Sequence, residues 1–403
     1  MKVIAINCGS ATLKFALIEL EDGNPAPGHE RQLASGIIDR IGSRGSIVFT
    51  SSDGDRVREE VTTRDHGEAV WRMLSLLSSP GRTAYQPDAV GHRVVHGGDR
   101  FDQPALVSAD VIEAIEGLTY LAPLHNRPSL AAIRATWEKL GAAIPQVVTF
   151  DTIFHHALPA RSAQYAIPGE LAARHKIRRY GFHGLAHRYM MERYAAITGQ
   201  PVAETKLITL QLGNGCSASA ISGGQPVDTS MGLTPLEGLV MGTRSGDVDP
   251  SLAVFLARQQ GVPAEEVEDW LNTRSGLLGV SGLAADMRDL LDGERRGNAR
   301  AALAIDMFCY RVKKYIGSYL AALGGADAVV FGGGIGENSP EVRARILGSL
   351  EWCGVKLDEK RNLEGRGVET RITADDATLH CYVIPVNEAI IIARDTAQCL
   401  RGN

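Results

Sequence analysis

VIAINCGSATLKFAL (Val3–Leu17) and LITLQLGNGCSASAI (Leu207–Ile221) are built to one design. Each is an apolar strand, a turn of small residues carrying Asn and Gly, and a second strand returning beside the first. Outward from the first lie a polar stretch at Glu19–Glu60 suited to edge strands and loops, then buried strands at Ala89–His96 and Gln146–Asp151. Outward from the second lie helical segments at Asp249–Gln260, Ala264–Asn272 and Ala299–Leu323, a buried strand Ala326–Phe331, the segment Leu379–Pro385 and an amphipathic helix after it. Strands interleaved with helices indicate an α/β protein. Recurrence of the hairpin implies duplicated domains, one starting at Met1 and one near Asp151. The boundaries expected are 1–150 and 151–386, with the last helix, 387–403, packing back on the first domain.

Composition fits two ordinary globular domains: 403 residues, 44% hydrophobic and 22% charged. A net charge of −5 argues against a nucleic-acid partner but not against phosphate ligands, which backbone N–H groups and a few arginines can hold. The N-terminus reaches Gly and Ser too soon for a signal-peptide core, and no run approaches the roughly 20 apolar residues of a membrane span. The six scattered cysteines include no CxxC pair and read as reduced thiols of a cytoplasmic protein.

Several segments carry residues suited to phosphate chemistry. In Asn7–Lys14 (NCGSATLK), Gly9 allows close approach, the Ser10 and Thr12 hydroxyls suit phosphate oxygens, Asn7 could hold a metal-bound water and Lys14 supplies charge. Gly213–Gly215 with Ser217 is a second cradle. GGGIGENS at Gly332–Ser339 follows a buried strand without the spacing of a Rossmann or Walker motif. Arg93 (GHRVVHGG) and Arg244 (MGTRSGDVDP) sit among glycines, which suits bidentate anion recognition, or else they pair with acids such as Asp99 or Asp247. His183 and His187 have the i,i+4 spacing of a metal pair, but Gly184 stands where HExxH requires Glu. His125 and His183 lie at element ends. Asp151 and Glu388 could reach Mg²⁺, and Asp151 could equally cap a helix. Asp247 and Asp249 more naturally shape a turn.

In this order the segments RVVHGG, LAPLHN, FDTIFH, YGFHG, LGNG, TSMGLTPLEGLVMGTRSGD, SGLLGVSG, GGGIGEN and IPVNEA resemble those of acetate kinases and the related propionate kinases, from Lys2 to the last helix. The resemblance implies two domains of the actin-, hexokinase- and Hsp70-like (ribonuclease H-like) type flanking an interdomain cleft and closing over ATP, usually as a homodimer. It implies Mg²⁺, with Mn²⁺ able to substitute, at Asn7 and Glu388. Phosphate contacts fall on Ser10, Thr12, Lys14, Gln211, Leu212, Gly213, Asn214 and Gly215. The adenosine side falls on Asp286, Met287 and Arg288 and on Gly334, Ile335, Gly336, Glu337 and Asn338. Arg93 matches the substrate-carboxylate position, with Val95, Leu124, His125, Phe182 and Pro235 around the acyl group. Asp151 matches the essential acid, and His183 and Arg244 the transition-state stabilisers.

The implied reaction is direct in-line transfer of the ATP γ-phosphoryl group to acetate, reversibly, with propionate secondary. Acetate is ionised at neutral pH, so no strong general base is needed, and Asp151 is expected to hold metal and water or to orient other groups. Three positions depart from the family pattern. Gln211 stands where His is usual, Ala11 and Thr12 replace serines, and FHGLAH replaces FHGTSH.

Overall fold

The computed structural model describes residues 1–21, 26–79 and 85–402. The chain divides into two compact units, Met1–His156 with Asn387–Asn403, and Ala157–Val386.

The first unit holds β1 (Lys2–Cys8), β2 (Leu13–Leu20), β3 (Glu30–Ile38), β4 (Arg44–Ser51), β5 (Arg56–Thr62), β6 (Ala89–Val94), β7 (Ala105–Leu106) and β8 (Gln146–Phe150). Their order is β5-β4-β3-β2-β1-β6-β8-β7. β1 to β5 form an antiparallel meander, while β6 and β8 continue from β1 in parallel. The unbroken apolar run Val3–Ile6 reflects burial on both faces. Val3 packs with Ala393 and Ala397 of helix Glu388–Gly402, whereas Ile4 and Ile6 pack with Ala69, Met73 and Leu74 of helix His66–Leu77 and Ala132 of helix Pro123–Leu140. Gly91 on β6 lets helix Glu388–Gly402 come close. A Cβ there would stand 2.3 Å from Thr396 Oγ1 and 2.6 Å from Ile392 Cγ2.

The second unit repeats the plan. β9 (Lys206–Leu212), β10 (Cys216–Ser222), β11 (Gln225–Thr229), β12 (Ala328–Gly332), β13 (Thr370–Arg371) and β14 (His380–Val383) lie in the order β11-β10-β9-β12-β14-β13. Here β9 to β11 are an antiparallel meander and β12 and β14 continue in parallel from β9. The series β3-β2-β1-β6-β8 and β11-β10-β9-β12-β14 are therefore one topology used twice, seeded by the two hairpins. Helix Gly184–Thr198 packs on β9 and β12, and helix Ala299–Leu323 on β9, β10 and β11.

The sequence reading and the structure part in places. The polar stretch after Glu19 forms three full strands, and β11 adds a third strand after the second hairpin. Residues 151–156 belong to the first unit, because the Asp151 amide bonds Val94 O at 3.1 Å and its carboxylate turns to Arg93 on β6. Asp151 is not a helix cap; turns follow it. Among the described residues no helix is long and apolar enough to cross a membrane.

Candidate active site

In the first unit the functional side chains gather where β1, β6 and β8 end. The parallel register pairs Asn7 with Arg93, and Arg93 with Thr149. Arg93 grips Asp151 with both arms of its fork, Nε to Oδ1 at 2.7 Å and Nη2 to Oδ2 at 2.5 Å. Its Nη1 donates to Asn7 Oδ1 at 2.7 Å, and Asn7 Nδ2 donates to Glu388 Oε2 at 2.7 Å. The side chains of Arg93 and Asp151 are 13% and 1% exposed, so this is a buried, charge-assisted pair. Burial disfavours the Arg93 cation, but Asp151 and Glu388 more than offset that and raise its pKa. Burial also raises the Glu388 carboxyl, against the pull of Arg93 and with the push of Asp151.

The Asn7–Lys14 turn is held by Gly9 N–H donating to Thr12 O at 2.8 Å and by His66 Nε2 against Gly9 O at 2.8 Å. Ser10 and Lys14 are exposed and Thr12 is half-buried. Val95 is buried two residues from Arg93, and His125 lies half-buried in the first turn of helix Pro123–Leu140. The Leu124 side chain lies outside the described residues.

In the second unit Gly213–Gly215 closes the β9–β10 hairpin, Gly213 N–H donating to Gly215 O at 3.1 Å. His183 precedes helix Gly184–Thr198 in left-handed conformation, φ 55°. That conformation is uncommon for a side-chain-bearing residue, and such strain concentrates at functional sites. Its Nδ1 meets Ser217 Oγ at 2.8 Å. A Cβ built on Gly215 would stand 2.6 Å from Arg244 Nη2 and 3.5 Å from His183 Cε1, so both side chains lie against the bare backbone of the turn. Arg244 Nη1 donates to Pro235 O at 2.6 Å, and among the described residues no carboxylate stands within ion-pair distance of it. Burial draws its pKa below the usual arginine value. A partly buried guanidinium with no acid beside it is suited to an incoming anion. Gly215→Ala is therefore expected to displace Arg244 and lower kcat by about 10²-fold, comparable to losing one transition-state donor, with the melting temperature nearly unchanged. Steady-state kinetics and a thermal melt check both halves of that expectation.

Arg244 does not pair with Asp247, which is engaged elsewhere: Tyr315 donates to it at 2.8 Å, Gly238 N–H at 2.8 Å, and Arg311 pairs with it at 3.3 Å. Asp249 caps the next helix, accepting from Ser251 N–H at 2.8 Å. Arg93 does pair with an acid, Asp151. His183 and His187 do not form a metal pair, since the two ring nitrogens of His187 are committed to Thr209 at 2.7 Å and Ser217 at 2.8 Å. Phe182 is buried beside His183.

Leu212 is buried, whereas Gln211 is half-buried, and its Oε1 has no hydrogen-bond partner among the described residues. Glu337 braces the glycine-rich loop, accepting from Gly333 N–H at 2.8 Å and Val386 N–H at 3.0 Å, and Asn338 donates to Gly334 O at 3.0 Å. Asp286 caps helix Met287–Arg295 and receives both arms of Arg288, with Met287 buried beneath. A brace the sequence did not suggest holds the loop carrying Pro235 and Arg244. Glu237 accepts from Arg179 at 2.6 Å and from Tyr165, whose oxygen accepts from Leu233 N–H at 2.8 Å.

Comparison with known proteins gives one answer. The Acetokinase family matches residues 2–394. The acetate kinase of Chloroherpeton thalassium is 44% identical, covering 99% of each chain. The crystal structure of Porphyromonas gingivalis acetate kinase superposes with TM-score 0.89 at 39% identity, covering 99% of each chain. That of a propionate kinase from Francisella tularensis gives TM-score 0.89 at 37% identity, covering 98% of this chain and 99% of the other.

Proposed function

The chain belongs to the acetokinase family, and from that premise we infer that it transfers the γ-phosphoryl group of ATP to acetate, reversibly, giving acetyl phosphate and ADP. The observation that carries this reading beyond family membership is Arg244. It is a partly buried cation with no counter-carboxylate among the described residues, set with His183 against a glycine turn.

The parts divide by role. The amides of Gly213–Gly215, with Arg244 and His183, suit the oxygens of the phosphoryl group in flight. Ser10, Thr12 and Lys14 suit the terminal phosphates. The Arg93 fork is occupied by Asp151 and Asn7, so acetate would be met by its remaining N–H bonds, with Val95, two residues on, beside the methyl; Phe182 and Pro235 are the second unit's candidates for the acyl group. Asp151 orients Arg93 and need not remove a proton. Asp286, Met287 and Arg288 with Gly334–Asn338 would receive the nucleoside.

Members of the family generally use a divalent metal, which we propose is Mg²⁺, replaceable by Mn²⁺. The donor set is of the right kind, hard oxygens from Asn7, Glu388 and Asp151, and burial disfavours the Glu388 anion even with Arg93 beside it, a cost that a divalent cation would relieve. Bound there, the ion would neutralise phosphate charge. Glu388→Gln is expected to raise the Mg²⁺ concentration for half-maximal activity by about tenfold or more. An unchanged Mg²⁺ titration would remove Glu388 from the metal site.

Propionate is the expected second substrate, because one methylene in an apolar pocket discriminates by only about 1–3 kcal/mol. We also propose a cytoplasmic homodimer. Leu303, Met307 and Tyr310 form an exposed apolar stripe on helix Ala299–Leu323 that suits a second copy. The test of function is ADP release with acetate, propionate and butyrate. Carboxylate-dependent turnover is the expected result; release indifferent to carboxylate would make the protein an ATPase and overturn the reading. Inversion at a chiral phosphorus would support in-line transfer, and retention would exclude it.

A further inference from the structure

Behind His183 runs a chain of hydrogen bonds with no contact to solvent. Ser217 Oγ lies 2.8 Å from His183 Nδ1 and 2.8 Å from His187 Nε2, and His187 Nδ1 lies 2.7 Å from Thr209 Oγ1. Ser217, His187 and Thr209 are all 0% exposed. Strand pairing sets this arrangement. Ser217 faces Gln211 and Ser219 faces Thr209 across β9 and β10, which places the Ser217 and Thr209 hydroxyls on one side of the sheet, against helix Gly184–Thr198.

Proton counting gives the chain a property that no single contact has. Ser217 has one hydroxyl proton and meets two imidazole nitrogens. If it donates to His183 Nδ1, it must accept from His187 Nε2–H, and His187 Nδ1 then accepts from the Thr209 hydroxyl. If His183 Nδ1–H donates to Ser217, the Ser217 proton goes to His187 Nε2, and His187 Nδ1–H donates to Thr209. A third arrangement, both rings donating, would strand the serine proton in a buried place, at a cost that native interiors avoid. In the first arrangement every proton of the chain has an acceptor; in the second the buried Thr209 hydroxyl, whose partner among the described residues is His187, has no acceptor left for its own proton, so the chain favours the first.

We propose that Ser217, His187 and Thr209 form a positioning relay, in which the tautomer and orientation of His183 are set through Ser217 from Thr209. The relay rests on His183 serving the phosphoryl group, as inferred above. The imidazolium form, which donates from both nitrogens, is compatible only with the second arrangement. The relay therefore favours a neutral His183 that accepts at Nδ1 and carries its proton on Nε2, and Arg244, shown with it against Gly215, also opposes a charge on the ring. Leu185 and Ala186, which replace the hydroxyl residues usual in the family, are buried and offer no side-chain hydroxyl. That leaves this support to the sheet.

The experiment pairs Ser217→Ala with the isosteric Thr209→Val, which does not touch His183. It reads kinetics together with the ¹⁵N chemical shifts of the histidine side chains in the full chain. Ser217→Ala is expected to lower kcat about tenfold or more, a fraction of the roughly 10²–10³ that a lost transition-state donor costs, with both KM values within about threefold. Thr209→Val is expected to move the ring-nitrogen shifts of His183 as well as His187, and to lower kcat less. His183 shifts unmoved by Thr209→Val would overturn the relay, even if Ser217→Ala proves unstable. His183→Ala separates the two readings. If it leaves turnover intact, the role of His183 fails; if it abolishes turnover while Thr209→Val moves nothing, only the relay fails.

Discussion

Arg244→Ala is expected to lower kcat by about 10³-fold or more while the KM for acetate changes by less than about threefold. Arginines that neutralise a phosphoryl group in transfer contribute about 10³–10⁵ to the rate, because the charge they meet develops in the transition state. The position of Arg244 argues for the full effect. Its Nη2 lies 2.6 Å from where a Gly215 Cβ would be, and its hydrogen bond through Nη1, 2.6 Å to Pro235 O, fixes the guanidinium without neutralising it. A structural arginine looks different. Arg343, fully buried, gives four of its five N–H donors to the carbonyls of Gly336, Glu337 and Asn362 and to Asn362 Oδ1, and lies out of reach of a ligand from solvent. Arg244→Lys keeps the charge but not the fork and is expected to recover only part of the rate. The measurement is kcat and KM in both directions for the three proteins. A kcat for Arg244→Ala within tenfold of the parent would remove Arg244 from the transition state.

How much of this was legible follows from which interactions are local. The hairpins β1–β2 and β9–β10 are written as apolar strands around turns of small residues with Asn and Gly, so the duplication could be read from sequence. The arginines stood out because they lie among glycines, not on a helical face. What could not be read is pairing across distance. Arg93 and Asp151 are 58 positions apart, and their bond depends on β6 and β8 lying side by side in parallel. The choice left open for Asp151, metal ligand, orienter or helix cap, therefore needed the register. Helix Pro123–Leu140 was hidden by Pro128 in its interior, which sequence reading takes as a break. The i,i+4 spacing of His183 and His187 suggests that both ride one helix, but only His187 does, His183 preceding it in left-handed conformation, and the partners shown for His187 are hydroxyls on β9 and β10, which carry no signal among their small neighbours.

Asp151→Asn is expected to abolish measurable turnover and to destabilise the first unit by about 3–5 kcal/mol, the cost of leaving one member of a buried ion pair without its partner. Two effects are combined in that change, and a second substitution separates them. In Arg93→Met, Asp151→Asn, neither charge remains, and replacing a whole buried pair by groups of similar volume is often neutral or stabilising. The double variant should therefore regain most of the lost stability, with a coupling between the sites of the size expected for residues in direct contact. Activity should not return, because no fork remains to meet the acetate carboxylate and no acid remains beside Glu388. Urea denaturation with Trp71 and Trp137, both in the first unit, as reporters gives the stability arm; ADP release gives the other. If the double variant stays as unstable as Asp151→Asn, the pair is not what holds the ends of β6 and β8 together. If it regains activity along with stability, Arg93 and Asp151 are scaffolding and the acetate-binding role assigned to Arg93 is wrong.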